Sequence, residues 1–180
     1  MPVKKIAYTK KKQRPRKKRR PAQAHDLHRY ASPLYMLIIG CLIVFIVFII
    51  SYVPKPDTRI TRLNTYFAKY DMPLEGHGST FVQTADTCGM DWRLLPAIAV
   101  RESSGGKHMQ RNNPFGWGSA EIPFTDIDDA IRGVGYNLCG FNTNTAKWYG
   151  TTSTEKKLYY YNGTVLPTYP DEVMWIMDQF

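Results

Sequence analysis

The sequence predicts a mainly α-helical protein in which a disordered basic tail leads into one membrane-crossing helix and then a small helical domain. Three observations carry this expectation. Residues 1–30 hold twelve of the chain's 24 Lys and Arg residues and a single acid, Asp26. An apolar run follows, with no charge between Arg29 and Lys55. Beyond it, apolar residues recur at helical spacing, with Asp, Ser, Gly and Pro at cap and turn positions.

The tail, residues 1–30, includes Lys10, Lys11, Lys12, Arg14, Arg16, Lys17, Lys18, Arg19 and Arg20 and very little that is apolar. It cannot bury enough surface to offset the entropy of ordering, so disorder is expected. Phosphate contacts could take such a run to nucleic acid or to anionic lipid. No nucleic-acid motif accompanies it, so no specific nucleic-acid partner is expected, and the adjoining apolar run favours the membrane. The formal charge of +9 belongs to this tail, because the rest of the chain has twelve basic and fourteen acidic residues.

Residues 31–53 supply about the 20 apolar residues that cross hydrocarbon. Tyr30, Tyr35 and Tyr52 lie near the ends, where amphipathic rings favour the headgroup layer, and the Lys and Arg excess predicts a cytoplasmic N-terminus. A cleaved signal peptide is the alternative. The apolar stretch is longer than a signal core and ends Ser51-Tyr52-Val53-Pro54 without a small-residue cleavage pattern, so an uncleaved single-pass anchor is expected.

Pro54, Lys55, Pro56 and Asp57 open a segment read as linker, residues 54–64, with the folded domain at 65–180. Cys88 and Cys139 are the two cysteines of this domain, while Cys41 lies in the apolar run. An exported domain favours their pairing as a disulfide, against two buried thiols. No CxxC or HxxxH spacing occurs and His77 and His108 are isolated, so no metal site is expected.

Within the domain, Ser79 is placed to cap a helix through Phe81, Val82 and Ala85 that stops near Gly89. Asp91 is placed to cap the next, with Trp92, Leu95, Ile98 and Ala99, and Pro96 just past its first turn. Glu102 follows Leu95, Ile98 and Ala99 at spacings of helical neighbours, which puts a carboxyl group on the apolar face. Burial there would raise its pKa and suit it to give up a proton near neutrality. If the helix stops a turn earlier, Glu102 instead points to solvent or pairs with Arg101 or Lys107.

Thr125 is placed to cap a further helix. Ile127, Ile131, Val134 and Leu138 share its buried face, and Asp126, Asp128 and Asp129 in its first turn complement the helix dipole and are read as structural. Gly140 ends it. Glu155–Tyr161 and Asp171–Phe180 complete the set, the last burying Val173, Ile176, Met177 and Phe180.

Ala99-Val100-Arg101-Glu102-Ser103, then Gly105-Gly106-Lys107, then Asn112-Asn113-Pro114-Phe115-Gly116 resemble the lysozyme-like superfamily of bacterial cell-wall glycosidases. The likeness is strongest to the glucosaminidase and lytic transglycosylase branches. Phe124 with Asp129-Ala130-Ile131, and Tyr160-Tyr161-Asn162-Gly163 with Tyr169-Pro170, follow in that family's order, so the resemblance covers most of residues 65–180. It departs where transglycosylases carry a Gly-Leu-Met-Gln type segment, of which Met109-Gln110 remains, and this leaves open hydrolysis or transglycosylation.

The resemblance implies a lysozyme-like helical domain that cleaves peptidoglycan. Glu102 would be the catalytic acid, and Tyr161 would orient Glu102 or the sugar. Asn112, Asn113, Phe115, Trp117, Ser119 and Asn162 are the candidate substrate-binding residues, although Asn112 and Asn113 equally suit a turn ahead of Pro114. It also implies that the substrate's own 2-acetamido oxygen can replace a second carboxylate. Glu121 is read as an exposed loop acid, unless it stands about 5 to 9 Å from Glu102, where a two-carboxylate hydrolase would be expected. Trp148, Tyr149, Tyr159 and Tyr160 are further aromatics that could face sugar, although core packing is the commoner role of such rings. Asn162-Gly163-Thr164 matches a glycosylation sequon, a coincidence in a bacterial protein. No metal or organic cofactor is expected. The expected partners are peptidoglycan glycan strands, the bacterial inner membrane with the domain outside, and a cell-envelope protein complex. The rival expectation from a different class is a non-catalytic glycan-binding or scaffolding module of such a machine.

Overall fold

The structure, a computed structural model, describes residues 33–52, 55–150 and 152–180. The basic tail, residues 1–30, lies outside these. The described residues are mainly helical and contain no strand. The chain divides into two units, and the second, Pro54–Phe180, has a hydrophobic core of its own.

Helix α1 (Pro33–Tyr52) carries no charged side chain along its 20 residues and buries none of them. By length and composition it is a candidate membrane-spanning helix.

In the second unit, α2 (Thr58–Lys69) replaces most of the segment expected as linker through residue 64. Asp57 caps it by accepting the Arg59 backbone N–H at 2.9 Å, and its amphipathic spacing buries Leu63 and Phe67. Phe67 packs against Phe81 and Phe180, with ring centroids 5.9 Å and 6.2 Å away. The polar opening of the helix, Thr58-Arg59, masks that periodicity. Arg59 then bridges Asp57 and Asp86, each at 2.7 Å.

α3 (Gly78–Cys88) starts one residue before the expected Ser79 cap. Its first N–H, that of Gly78, is accepted by Asn64 Oδ1 of α2 at 3.0 Å, and the same oxygen accepts Gly76 N–H of the preceding turn at 3.2 Å. A Cβ on Gly78 would lie 2.7 Å from that oxygen and 2.9 Å from the Ile60 carbonyl, so glycine is required at this crossing. The left-handed Gly89 ends the helix as expected.

α4 (Leu94–Ser103) begins later than the Asp91 cap implied, because Asp91 closes a turn onto the Arg93 N–H at 2.9 Å instead. Every residue from Leu94 to Ala99 is buried. α4 packs chiefly against α8 (Tyr169–Met177), and α3 packs against α2 and α5 (Ile127–Leu138). The cap of α5 is Asp126, one residue past the expected Thr125. Its carboxylate accepts the Asp129 N–H at 2.7 Å, while Asp129 accepts that of Thr125 at 3.0 Å. Asp128 holds His77 at 2.8 Å.

After α5 come α6 (Ala146–Tyr149) and α7 (Thr154–Leu158), which Ser153 caps. The helix expected over Glu155–Tyr161 is in fact α7 running into a π-helical turn, Tyr159–Gly163. The last helix begins earlier than the expected Asp171, with Pro170 in its first turn. Val173, Ile176, Met177 and Phe180 are buried as the spacing implied.

Two features fix α6 on α5. The buried Lys157 donates from Nζ to the carbonyls of Leu138, at 2.8 Å, and Tyr149, and burial holds its pKa below the ordinary value. Gly140, at φ 81°, lies so close to Gly150 that a Cβ would come within 2.4 Å of its Cα. Beside them Cys88 and Cys139 are disulfide-bonded, their Cα atoms 5.4 Å apart, which joins the ends of α3 and α5.

Reduction should lower the thermal midpoint, since opening a loop of this span releases up to about 4 kcal/mol of chain entropy to the unfolded state. Melts with and without dithiothreitol, beside Cys88→Ser, check it, and coincident curves would argue for free thiols. Acid should also destabilise the domain. The Arg59 guanidinium lowers the Asp57 pKa from its ordinary 3.8, and the Thr168 hydroxyl with Arg101 lowers that of Glu172 from 4.5. A depressed folded-state pKa gives stability that is present above those values and lost as pH falls through the folded ones. A pH series of melts should therefore show midpoints falling from about pH 4.5 downward.

Candidate active site

The last turn of α4 carries Glu102 out of the core to a cleft of about 470 Å³. The cleft is lined by Glu102, the backbone-rich stretch Phe115–Ser119, and Tyr161 with Asn162 from the π-helical turn. Of the expected site residues, the structure therefore brings together Glu102, Phe115, Trp117, Ser119, Tyr161 and Asn162. A larger groove of about 580 Å³ runs along α2 past Arg62, Tyr66 and Lys69, but no acidic side chain lines it.

Glu102 is half-buried. Its Oε1 accepts the Tyr169 hydroxyl at 2.6 Å. Its Oε2 lies on the Gly116 side, where a Cβ would stand 3.4 Å away, and Gly116 adopts φ 62°. Glycine at 116 thus lets the loop pass the carboxyl group in a left-handed conformation. Neither expected cation takes the carboxylate: Arg101 turns to Glu172, with Nε 2.6 Å from Oε2, and Lys107 makes no ion pair with it. The alternative in which Glu102 is salt-bridged at the surface does not hold.

Tyr169 was read from sequence only as part of a segment, yet it is the side chain that touches Glu102. It is fully buried, and burial first, then the charges of Tyr161 and Glu102, raises its pKa far above the ordinary value. Burial, then Glu102, does the same to Tyr161. Both phenols therefore stay protonated at neutral pH and keep donating. Of the two roles expected of Tyr161, orienting Glu102 or the sugar, the first is not made by a direct hydrogen bond, because its hydroxyl goes to the Phe115 carbonyl at 2.6 Å. Its ring stacks on Tyr169, the residue that holds Glu102, at 5.9 Å and 3°.

Three of the expected substrate contacts have other roles. Asn113 is buried, and its amide ties the loop together: Nδ2 donates to Trp117 and Ile122 carbonyls at 2.9 Å and 3.3 Å, and Oδ1 accepts from Phe115 and Trp117 N–H groups at 3.3 Å and 3.2 Å. Asn112, at φ 57°, donates to the carbonyls of Phe124 and Thr125 at 3.1 Å and 3.0 Å and fastens the loop to the start of α5. Phe115 buries its side chain against Phe81, with centroids 6.4 Å apart, and gives the cleft its backbone alone. Trp117 is half-buried beside Tyr161, and Ser119 is exposed at φ 59°.

Ser103, not foreseen, braces the other end of the loop. Its hydroxyl lies 2.7 Å from the Pro114 carbonyl and 3.0 Å from that of Ala99, and accepts the Gly106 N–H at 2.9 Å. Glu121 stays apart from the cleft, 79% exposed and 3.5 Å from Arg111. Among the described residues lining the cleft, Glu102 supplies the carboxyl group.

Comparisons with protein-family models, curated proteins and solved structures find no match to this chain.

The two asparagines should separate in thermal melts. Asn113→Ala leaves buried backbone groups without partners and should cost about 2–3 kcal/mol, with a change in Trp117 fluorescence. Asn112→Gly keeps the left-handed conformation accessible and should cost less than about 1 kcal/mol. Equal costs would mean that the loop is not held as described.

Proposed function

We propose that this chain is a membrane-anchored, lysozyme-like glycosidase that cleaves peptidoglycan, with Glu102 as its general acid. The observation that carries the reading is the placement of Glu102 in a cleft, one oxygen held by Tyr169 and the other on the Gly116 side beside Trp117 and Tyr161. The family resemblance of residues 99–116 and 160–170 supports it, and the comparisons neither add to it nor oppose it.

In this reading Glu102 protonates the glycosidic oxygen through Oε2 as the bond to the anomeric carbon breaks. A second carboxylate in the usual position would stand about 5–9 Å away. Glu121 does not line the cleft, and this favours attack on the anomeric carbon by the substrate's own 2-acetamido oxygen. The Glu102 carboxylate then takes a proton from the incoming nucleophile. Water gives a reducing end, whereas the sugar's own 6-hydroxyl gives an anhydro product. Tyr169 holds Oε1 throughout, so that proton transfer is confined to one oxygen. α1 would anchor the enzyme in the bacterial inner membrane, with the basic tail cytoplasmic and the domain outside.

The test is mass spectrometry of fragments released from purified peptidoglycan by the full chain in nanodiscs, beside Glu102→Gln. Release should fall about 100-fold or more in the variant, as loss of a general acid implies. Anhydro ends would identify a lytic transglycosylase and reducing ends a hydrolase. If the folded wild-type chain binds the glycan and releases nothing, a glycan-binding module replaces the enzyme.

A further inference from the structure

The groove of about 580 Å³ along α2 takes no part in the Glu102 chemistry and has a composition of its own. Thr58, Thr61, Arg62, Thr65, Tyr66 and Lys69 line it from one face of α2, where spacings of three and four bring side chains together. Pro56 and Phe180 also line it.

The buried part of this lining is aromatic and the exposed part polar and basic. Phe180 is buried and Tyr66 half-buried, with their rings edge to face at 4.7 Å. Arg62, Lys69 and the three threonines are exposed. Arg62 is fixed from two sides: its guanidinium carbon lies 5.2 Å from the centre of the Trp92 ring, and one terminal nitrogen donates to the Phe180 carbonyl. A guanidinium has five N–H donors, so others remain to meet a ligand. Lys69 Nζ stands 4.9 Å from the centre of the Tyr70 ring, which is itself 42% exposed. Among the described residues neither cation pairs with a carboxylate, and Asp57, beside the groove in sequence, is taken up by Arg59 at 2.7 Å. Two unneutralised cations, three hydroxyl groups and an aromatic floor fit an anion that carries an apolar body.

We propose that this groove binds the headgroups of anionic phospholipids in the bilayer that α1 crosses, with Arg62 and Lys69 on the phosphate and Tyr66 and Phe180 against the apolar part. The inference rests on the membrane-spanning reading of α1 and is independent of the glycosidase reading of Glu102. Pro56 follows Tyr52, the last residue of α1, by four positions, and four residues span at most about 14 Å. A bilayer crossed by α1 is therefore within reach of the groove, and Lys, Arg and Tyr are the side chains that suit its headgroup layer. A second copy of the chain fits less well, since a symmetric pairing would set Arg62 and Lys69 against their own counterparts. The hold on the surface thus depends on lipid charge and weakens with salt.

The experiment is lysine acetylation of the full chain in nanodiscs, read site by site by peptide mass spectrometry. Discs of phosphatidylcholine alone are compared with discs of about equal parts phosphatidylcholine and phosphatidylglycerol. Lys69 should react about fivefold more slowly in the anionic discs, the equivalent of one cation held at the surface, while Lys107 is unchanged. Arg62→Gln should remove most of that slowing. Thr65→Glu, which sets an acid in the groove at an exposed helical position, should do the same and serves if Arg62→Gln unfolds. Lys55, beside α1, should keep its own response to lipid charge in both variants. Equal Lys69 rates in the two kinds of disc, or a slowing that folded Thr65→Glu retains, overturn the proposal and leave α1 as an anchor. Equal slowing by inorganic phosphate in neutral discs would assign the groove to a free anion, and slowing that appears only with two chains per disc would assign it to a second copy; either overturns the lipid. Release of the chain from phosphatidylglycerol vesicles by alkaline carbonate overturns the anchor reading, and the lipid groove with it.

Discussion

Burial of α4 on all sides is the constraint on which the rest of the domain depends. Leu94 through Ala99 are enclosed, chiefly by α8, so the helix can meet solvent only at its C-terminal turn. Whatever residue stands there is presented to the surface from a rigid base. In this chain it is a carboxylic acid, and the helix that encloses α4 also delivers Tyr169, whose hydroxyl fixes one of its oxygens. The packing that stabilises the domain and the placement of the Glu102 carboxyl group are therefore one arrangement. Side chains held this way have little freedom left to lose when a ligand binds.

The loop after α4 does comparable work with polar groups. Buried Asn113 replaces a short piece of secondary structure, its amide meeting carbonyls and N–H groups on both sides of the turn. Ser103 fastens the loop to α4 and Asn112 fastens it to α5. Left-handed residues at Gly116, Gly118, Ser119 and Ala120 bend the chain around the cleft. Backbone held in sparsely populated conformations persists only where its surroundings over-determine it, and this loop is so determined.

Periodicity made the helices legible. The α5 face of Ile131, Val134 and Leu138 and the α8 face of Val173, Ile176 and Met177 were plain because one side of each meets the core. α2 was hidden because Pro56 and the polar residues beside it read as linker, although Ile60, Leu63 and Phe67 already keep helical spacing. Glu102 stood out as an acid closing an apolar run. Its partner Tyr169 did not, since contact across 67 residues leaves no local pattern. Asn112 and Asn113 are ambiguous in sequence because loop asparagines serve equally well as ligand contacts and as turn formers, and only their hydrogen bonds to distant backbone groups decide between the two. The mainly helical character and the candidate membrane-spanning helix could thus be read from spacing and composition, whereas the interior of the cleft depended on contacts between distant segments.

Lys157 has a further consequence. Its ammonium group joins the carbonyl ends of α5 and α6, and so the short helix that carries Trp148 is positioned by a polar clasp and a pair of glycines, with Tyr149 as its share of the main core. Substitutions or length changes between Phe141 and Trp148 bear first on that helix, whereas Tyr149 ties it to Trp117 and the core. A lineage could remodel one clasped helix and leave the carboxyl group on α4 as it found it.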